Sequence, residues 1–138
     1  MSSKATICVA VAVLAMAGCG GGGTLSKKEL QTQAGSVESF AAEGALVAQS
    51  VEEGRATDTY VRVHTEYLGK AAAKIDATLA SAHANGSLED KRAQAAKLAA
   101  LVTQELDQLH GAPGDRPLAK KLRSEFEKQA IDAGELAK

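Results

Sequence analysis

The sequence predicts an all-α protein: an antiparallel up-down-up-down four-helix bundle that follows a cleaved signal and a flexible glycine tether. Three observations predict it. Beyond residue 24 the chain is built largely from Ala, Leu, Glu, Lys and Gln, which are strong helix formers. Apolar residues recur there at spacings of three and four in four separate stretches. Glycine-containing breaks separate the stretches, and amphipathic helices with short links bury their stripes by packing antiparallel.

The first stretch sets the location of the rest. Met1-Ser2-Ser3-Lys4 is short and carries one positive charge, and Ala5 to Ala17 then runs apolar with Ile7, Val9, Val11, Val13 and Leu14 among alanines. A helix needs roughly 20 apolar residues to cross the hydrocarbon layer. This run is shorter and fits the core of a signal peptide. Small residues, Ala17 and Gly18, precede Cys19. Met16-Ala17-Gly18-Cys19 resembles the lipobox of bacterial lipoproteins, with Met16 in place of the commoner Leu. The resemblance covers the first nineteen residues. It implies a signal peptide over 1–18, cleavage before Cys19, and a diacylglyceryl group on the Cys19 thiol, often with acylation of the new amino terminus. Two acyl chains, at about 0.8 kcal/mol per buried methylene, would anchor the chain stably to a membrane.

Cysteine usage agrees. Cys8 lies inside the apolar run and leaves with it, so the mature chain keeps Cys19 alone and no disulfide. Residues 19–24 then read as the lipidated cysteine and a Gly-rich tether, Gly20-Gly21-Gly22-Gly23-Thr24. A phosphate cradle is the sharper reading of four glycines, but no Gly-Lys-Ser/Thr follows them.

Residues 25–138 make one helical domain. The first helix is expected from about Leu25 to Glu53, with Ser26 and Glu29 as a capping box and Leu30, Ala34, Val37, Ala41, Gly44, Ala48 and Val51 as its stripe. Phe40 and Val47 widen that stripe, and Gly54 suits the stop. The second runs from Thr57 or Asp58, either of which can cap, to Ala84 through Val61, Thr65, Leu68, Ala72, Ile75, Leu79 and Ala82. Tyr60-Val61-Arg62-Val63 has local strand character, but the longer helical period outweighs it. The third starts at Ser87, with Asp90 three residues on, and continues through Ala95, Leu98, Val102, Leu106 and Leu109 to the break at 111–114. The fourth starts at the cap Asp115, tolerates Pro117 in its first turn, and buries Leu118, Leu122, Phe126, Ala130 and Ala133. Alanine removes less apolar area than leucine, so modest stability is expected.

The candidate chemistry is sparse. The chain has a formal net charge of −1 and no basic stripe, which gives no electrostatic case for nucleic acid. His83 and His110 are expected in last helical turns, where the carbonyl end favours a cation. His64 flanks the stripe of the second helix, beside Glu66 and Tyr67. No His-Glu-x-x-His or paired Glu-x-x-His occurs, so no metal ligand, cofactor or catalytic residue is assigned. Glu52-Glu53 reads as solvated surface, because adjacent helical residues do not face each other. No serine sits in a Gly-x-Ser-x-Gly turn. The lysine runs Lys27-Lys28 and Lys120-Lys121 read as wet helix faces, and Glu125 and Lys128 as a surface pair.

Two functional readings follow. The first is a non-enzymatic, membrane-anchored module of a bacterial cell envelope, exported and held by lipid on Cys19, that binds a protein or an envelope component; it predicts an exposed apolar or small-residue patch and no deep polar pocket. The second is a small-ligand or metal carrier inside the bundle, around His64. The body is similar to the small helical lipoproteins of high-GC bacteria. Cys19, an Ala-rich helical body and Lys138 also resemble the major outer-membrane lipoprotein of enteric bacteria, which implies a C-terminal lysine linked to peptidoglycan. The breaks at Gly54, Gly86 and Gly111 depart from that family's continuous rod.

Overall fold

The first turn of the first helix shows how the sequence sets its own boundaries. Ser26 Oγ accepts from the Glu29 amide (3.3 Å) while Glu29 Oε2 accepts from the Ser26 amide (2.8 Å), a closed capping box. From it α1 runs over Lys27–Glu52. Gly54 follows at φ +69, a left-handed position that glycine occupies without a side-chain clash. Its N–H donates to Val51 O (2.9 Å) and that of Arg55 to Ser50 O (2.9 Å), which satisfies the last carbonyls. The computed structural model describes residues 23–138; the signal over 1–18, Cys19 and the first three tether glycines lie outside the described residues.

The other helices are α2 (Asp58–Ser81), α3 (Ser87–Gly111) and α4 (Arg116–Leu136). Thr57 caps α2 by accepting from the Tyr60 amide (3.3 Å), and Asp115 caps α4 by accepting from the Leu118 amide (2.9 Å). One boundary and one cap differ from the sequence expectation. Helix α2 stops at Ser81 rather than Ala84, because the backbone turns extended at Ala82 and is diverted to pair with the incoming chain. His83 O accepts from the Leu25 amide (2.7 Å), and the His83 amide donates to Gly23 O (3.4 Å). The stretch expected to be free tether up to Thr24 is therefore held from Gly23 onward. Helix α3 begins at Ser87 but gains no side-chain cap from it. Gly86 is the cap residue, at φ +58, and Ser87 and Asp90 form no box. The carboxylate three residues past the cap, Glu89, instead reaches back to the Ala84 amide (3.0 Å).

The four helices form an up-down-up-down bundle. Helix α1 packs most extensively on α4, and α2 on α3. The α1–α2 and α3–α4 seams are slighter, α1 also touches α3 across the diagonal, and α2 and α4 do not meet. One diagonal is thus shorter than the other. The residues explain it. The buried face of α1 is mostly Ala34, Ala41, Gly44, Ala45 and Ala48, and that of α3 includes Ala95 and Ala99, so backbones approach closely. Phe126 of α4, fully buried, fills the space this leaves. A Cβ on Gly44 would lie 3.1 Å from the Phe126 ring, so glycine is what lets the ring come this close to α1. The main core joins all four helices, and a smaller cluster of Leu30, Leu79 and Ala95 closes the end where the chain comes in.

The buried faces follow the predicted stripes with one systematic shift. Ala99 and Ala119 are fully buried, whereas Leu98 and Leu118 beside them are only half-buried. Where helices come closest only alanine fits, and the larger residue moves to the flank. Substitution of Phe126 by Ala should therefore lower unfolding free energy by about 3–5 kcal/mol. Gly44→Val should lower it by about 1–3 kcal/mol through overpacking. Urea denaturation followed by circular dichroism reads both.

Candidate functional site

Each residue type that could carry chemistry has a defined place. His64 stands on the outward face of α2, exposed, with its ring against Tyr60 at 4.4 Å between centroids. It faces away from the bundle interior, so the carrier reading loses the inward ligand on which it was based. His110 does lie in the last turn of α3, as expected, but it is tied across to α2. Its Nδ1 is 3.1 Å from Arg62 O and 3.3 Å from Thr65 Oγ1, while Arg62 Nη1 donates to His110 O (3.1 Å). A carbonyl only accepts, so Nδ1 carries the proton. His83 lies beyond the end of α2 rather than in its last turn, and its backbone binds the incoming chain. The three rings are not brought together. Among the described residues no group of three or more His, Cys, Asp or Glu is placed to hold a metal ion.

Glu52-Glu53 and Lys121 are paired, whereas Lys27, Lys28 and Lys120 stand exposed with no ion-pair partner among the described residues. Glu52 is half-buried and faces Arg123 of α4 (3.3 Å) instead of standing wholly in water, while Glu53 bonds Gln49 and Arg55. Lys121 pairs with Glu125 (3.7 Å), so Glu125 looks back along α4 rather than forward to Lys128. Arg92 is the most embedded cation of this set. It chelates Glu89 and donates from Nη1 to Leu79 O (2.5 Å), closing the α2–α3 turn from inside. Lys138 pairs with Glu135 (2.5 Å), and its carbonyl accepts from Gln31 Nε2 (2.7 Å), which sets this residue beside the first turns of α1.

Two apolar features remain on the surface. Tyr60, Val63, His64 and Tyr67 share one face of α2 at spacings of three and four, with Val63 60% and Tyr67 70% exposed. On the other side, Leu46 and Ile131 overhang a shallow groove of about 550 Å³ on the α1–α4 seam, floored by Ala42, Ala45 and Ala130. No helix among the described residues is long and apolar enough to cross a membrane.

The sequence reading missed one polar pair in the core. Glu105 of α3 and Gln129 of α4 are 7% and 6% exposed, and Gln129 Nε2 donates to Glu105 Oε1 (2.7 Å). Burial pushes the Glu105 carboxyl up to about 7, the negative charge of Glu125 adds to the rise, and the Gln129 hydrogen bond and Lys121 oppose it. Surface carboxyls go the other way. A hydrogen bond from Ser26 lowers Glu29, one from Gln49 lowers Glu53, Lys70 lowers Glu66, and Arg92 lowers Glu89.

These shifts fix the sign of the pH dependence. Stability from the lowered groups is present above the ordinary carboxylate range and is lost as pH falls through their folded values. Stability from Glu105 is present below about 4.5, where folded and unfolded chains both hold the proton, and is lost as pH rises to about 7. The thermal midpoint should therefore peak in mildly acidic buffer and fall toward neutrality. In Glu105→Gln that fall should largely disappear. Calorimetry at constant ionic strength measures it. No protein-family model, curated protein or solved structure matches the chain.

Proposed function

We propose that this chain is an exported, lipid-anchored, non-enzymatic interaction module of a bacterial cell envelope, held to a membrane by acyl groups on Cys19 and binding a protein partner through the outer face of α2. The observation that carries the binding half is the face itself. Tyr60, Val63, His64 and Tyr67 lie side by side in water on a helix whose core stripe is already satisfied. Contiguous exposed apolar side chains mark interaction surfaces, and tyrosine supplies a large, stiff contact area. Position supports a protein rather than the anchoring membrane as the partner. The chain comes in at the end of the bundle where α2 finishes, through the Leu25–His83 bond. At 1.5 Å rise per residue, Tyr67 lies ~21 Å and Tyr60 ~31 Å along α2 from its last residue. The face is thus presented at the far half of the bundle.

The anchoring half rests on the lipobox resemblance at Met16-Ala17-Gly18-Cys19. Intact mass of the protein purified from membranes of a host that processes lipoproteins tests it. The expected mass is that of the chain from Cys19 plus acyl groups, with both the acyl groups and the membrane association lost in Cys19→Ala. An unmodified full-length mass, or a simply cleaved one, would remove the membrane from this reading. The double change Tyr60→Ala and Tyr67→Ala should alter stability by no more than about 0.5 kcal/mol each, as surface positions do. If unfolding free energy instead fell by several kcal/mol, the face would belong to the fold and not to a partner.

A further inference from the structure

The α3–α4 seam carries a buried polar pair. Glu105 Oε1 accepts from Gln129 Nε2, which leaves Glu105 Oε2 and Gln129 Oε1 buried and without a hydrogen-bond partner. Both are acceptors when Glu105 is ionised, and two acceptors cannot bond each other. A single proton on Glu105 Oε2 removes the conflict, because the carboxyl then becomes a donor. Helix α4 offers it two acceptors, Gln129 Oε1 and the carboxylate of Glu125 one turn earlier. The charged groups acting on Glu105 both come from α4: Glu125, and Lys121, which pairs with Glu125. The buried faces of α1 and α2 carry no titratable side chain. The seam is one of the slighter ones in the bundle. Toward the end where the chain comes in, α3 and α4 part around a groove of about 430 Å³ between Leu98, Leu101 and Leu136, with both lysines and acids (Lys97, Lys128, Asp132 and Glu135) at its rim.

We propose that Glu105, Glu125 and Gln129 form a proton-operated latch across the α3–α4 seam, tied when Glu105 holds its proton and released into the adjoining groove when the proton leaves. The step is a dissociation. The Oε2–H bond of Glu105 breaks, the proton passes to water, and the carboxylate left behind faces Glu125 and the orphaned Gln129 Oε1. Like charges and an unpaired buried acceptor then both favour separation of α3 from α4. Release grows as pH rises, the reverse of ordinary acid loosening, and the rise of the Glu105 carboxyl places the end of that growth near neutrality. The latch does not depend on the lipid anchor or on the α2 face.

Hydrogen exchange of the full chain between pH 5 and 8.5, corrected for the intrinsic pH dependence of amide exchange, tests it. Protection of seam amides in α3 and α4 is expected to fall by up to about tenfold per pH unit between pH 5 and 7, with α2 amides near its start unchanged. In Glu105→Gln the seam should exchange at one level across the range. In Glu125→Gln, which keeps the buried acid but removes its like-charged neighbour, the fall should persist with its midpoint moved. A wild-type seam whose protection does not change with pH, a Glu105→Gln seam that follows the wild-type curve, or a fall spread evenly over all four helices would each overturn the latch. Should Glu105→Gln fail to fold, the wild-type profile and the Glu125→Gln shift still decide.

Discussion

The contact between Phe126 and Gly44 sets the geometry of the bundle. A phenyl ring packed this close to a helix backbone needs a residue without a Cβ beside it, and α1 supplies one within its buried face. With α4 seated that closely, the rest of the α1 face can be alanine and still be filled. The short α1–α3 diagonal, the absence of contact between α2 and α4, and the displacement of Leu98 and Leu118 to the flanks follow from that close approach. A core of this kind buries little area per residue, so each large side chain counts for more. It also leaves slighter seams at α1–α2 and α3–α4, and the second holds the buried acid.

Polar groups do the work at the ends that leucines do in larger bundles. The incoming chain is held by the His83 backbone, the α2–α3 turn is closed from within by Arg92 and Glu89, and the foot of α3 is fastened to α2 by Arg62 and His110. These bonds fix helix ends and leave the outer face of α2 free. A face of two tyrosines, a valine and a histidine is then available in water, far from where the chain comes in.

Much of this was legible in the sequence. The Ser26–Glu29 box, the stop at Gly54, the cap Asp115 and the start of α2 at Thr57 or Asp58 are local chemistry, and local chemistry needs no knowledge of the fold. The α3 cap was not legible, because Gly86 at positive φ turns Ser87 away and the carboxylate that reaches back belongs to Glu89, not Asp90. The end of α2 depended on a backbone bond to Leu25, a tertiary event with no local signal. Glu105 and Gln129 did leave a signal. Glu105 falls on the Val102–Leu109 stripe and Gln129 on the Phe126–Ala133 stripe, each at spacings of three and four. A polar residue on the inner stripe of two neighbouring helices points to a buried pair, and the reading of apolar positions alone passed over it. The α2 face is legible in the same way, as an apolar set at helical spacing outside the stripe, although the β-prone run Tyr60 to Val63 masks it with local strand character.

The measurement that bears most directly on the α2 face as a docking surface is site-specific photocrosslinking in the bacterium that makes the protein. A photoreactive amino acid would replace Tyr67 in one strain and Lys128, exposed on α4, in another. A discrete protein adduct at position 67, absent at 128 and lost when Tyr60 and Val63 are changed to Ala, is the predicted result. No adduct at 67, or the same adducts from both positions, would contradict a partner on the outer face of α2.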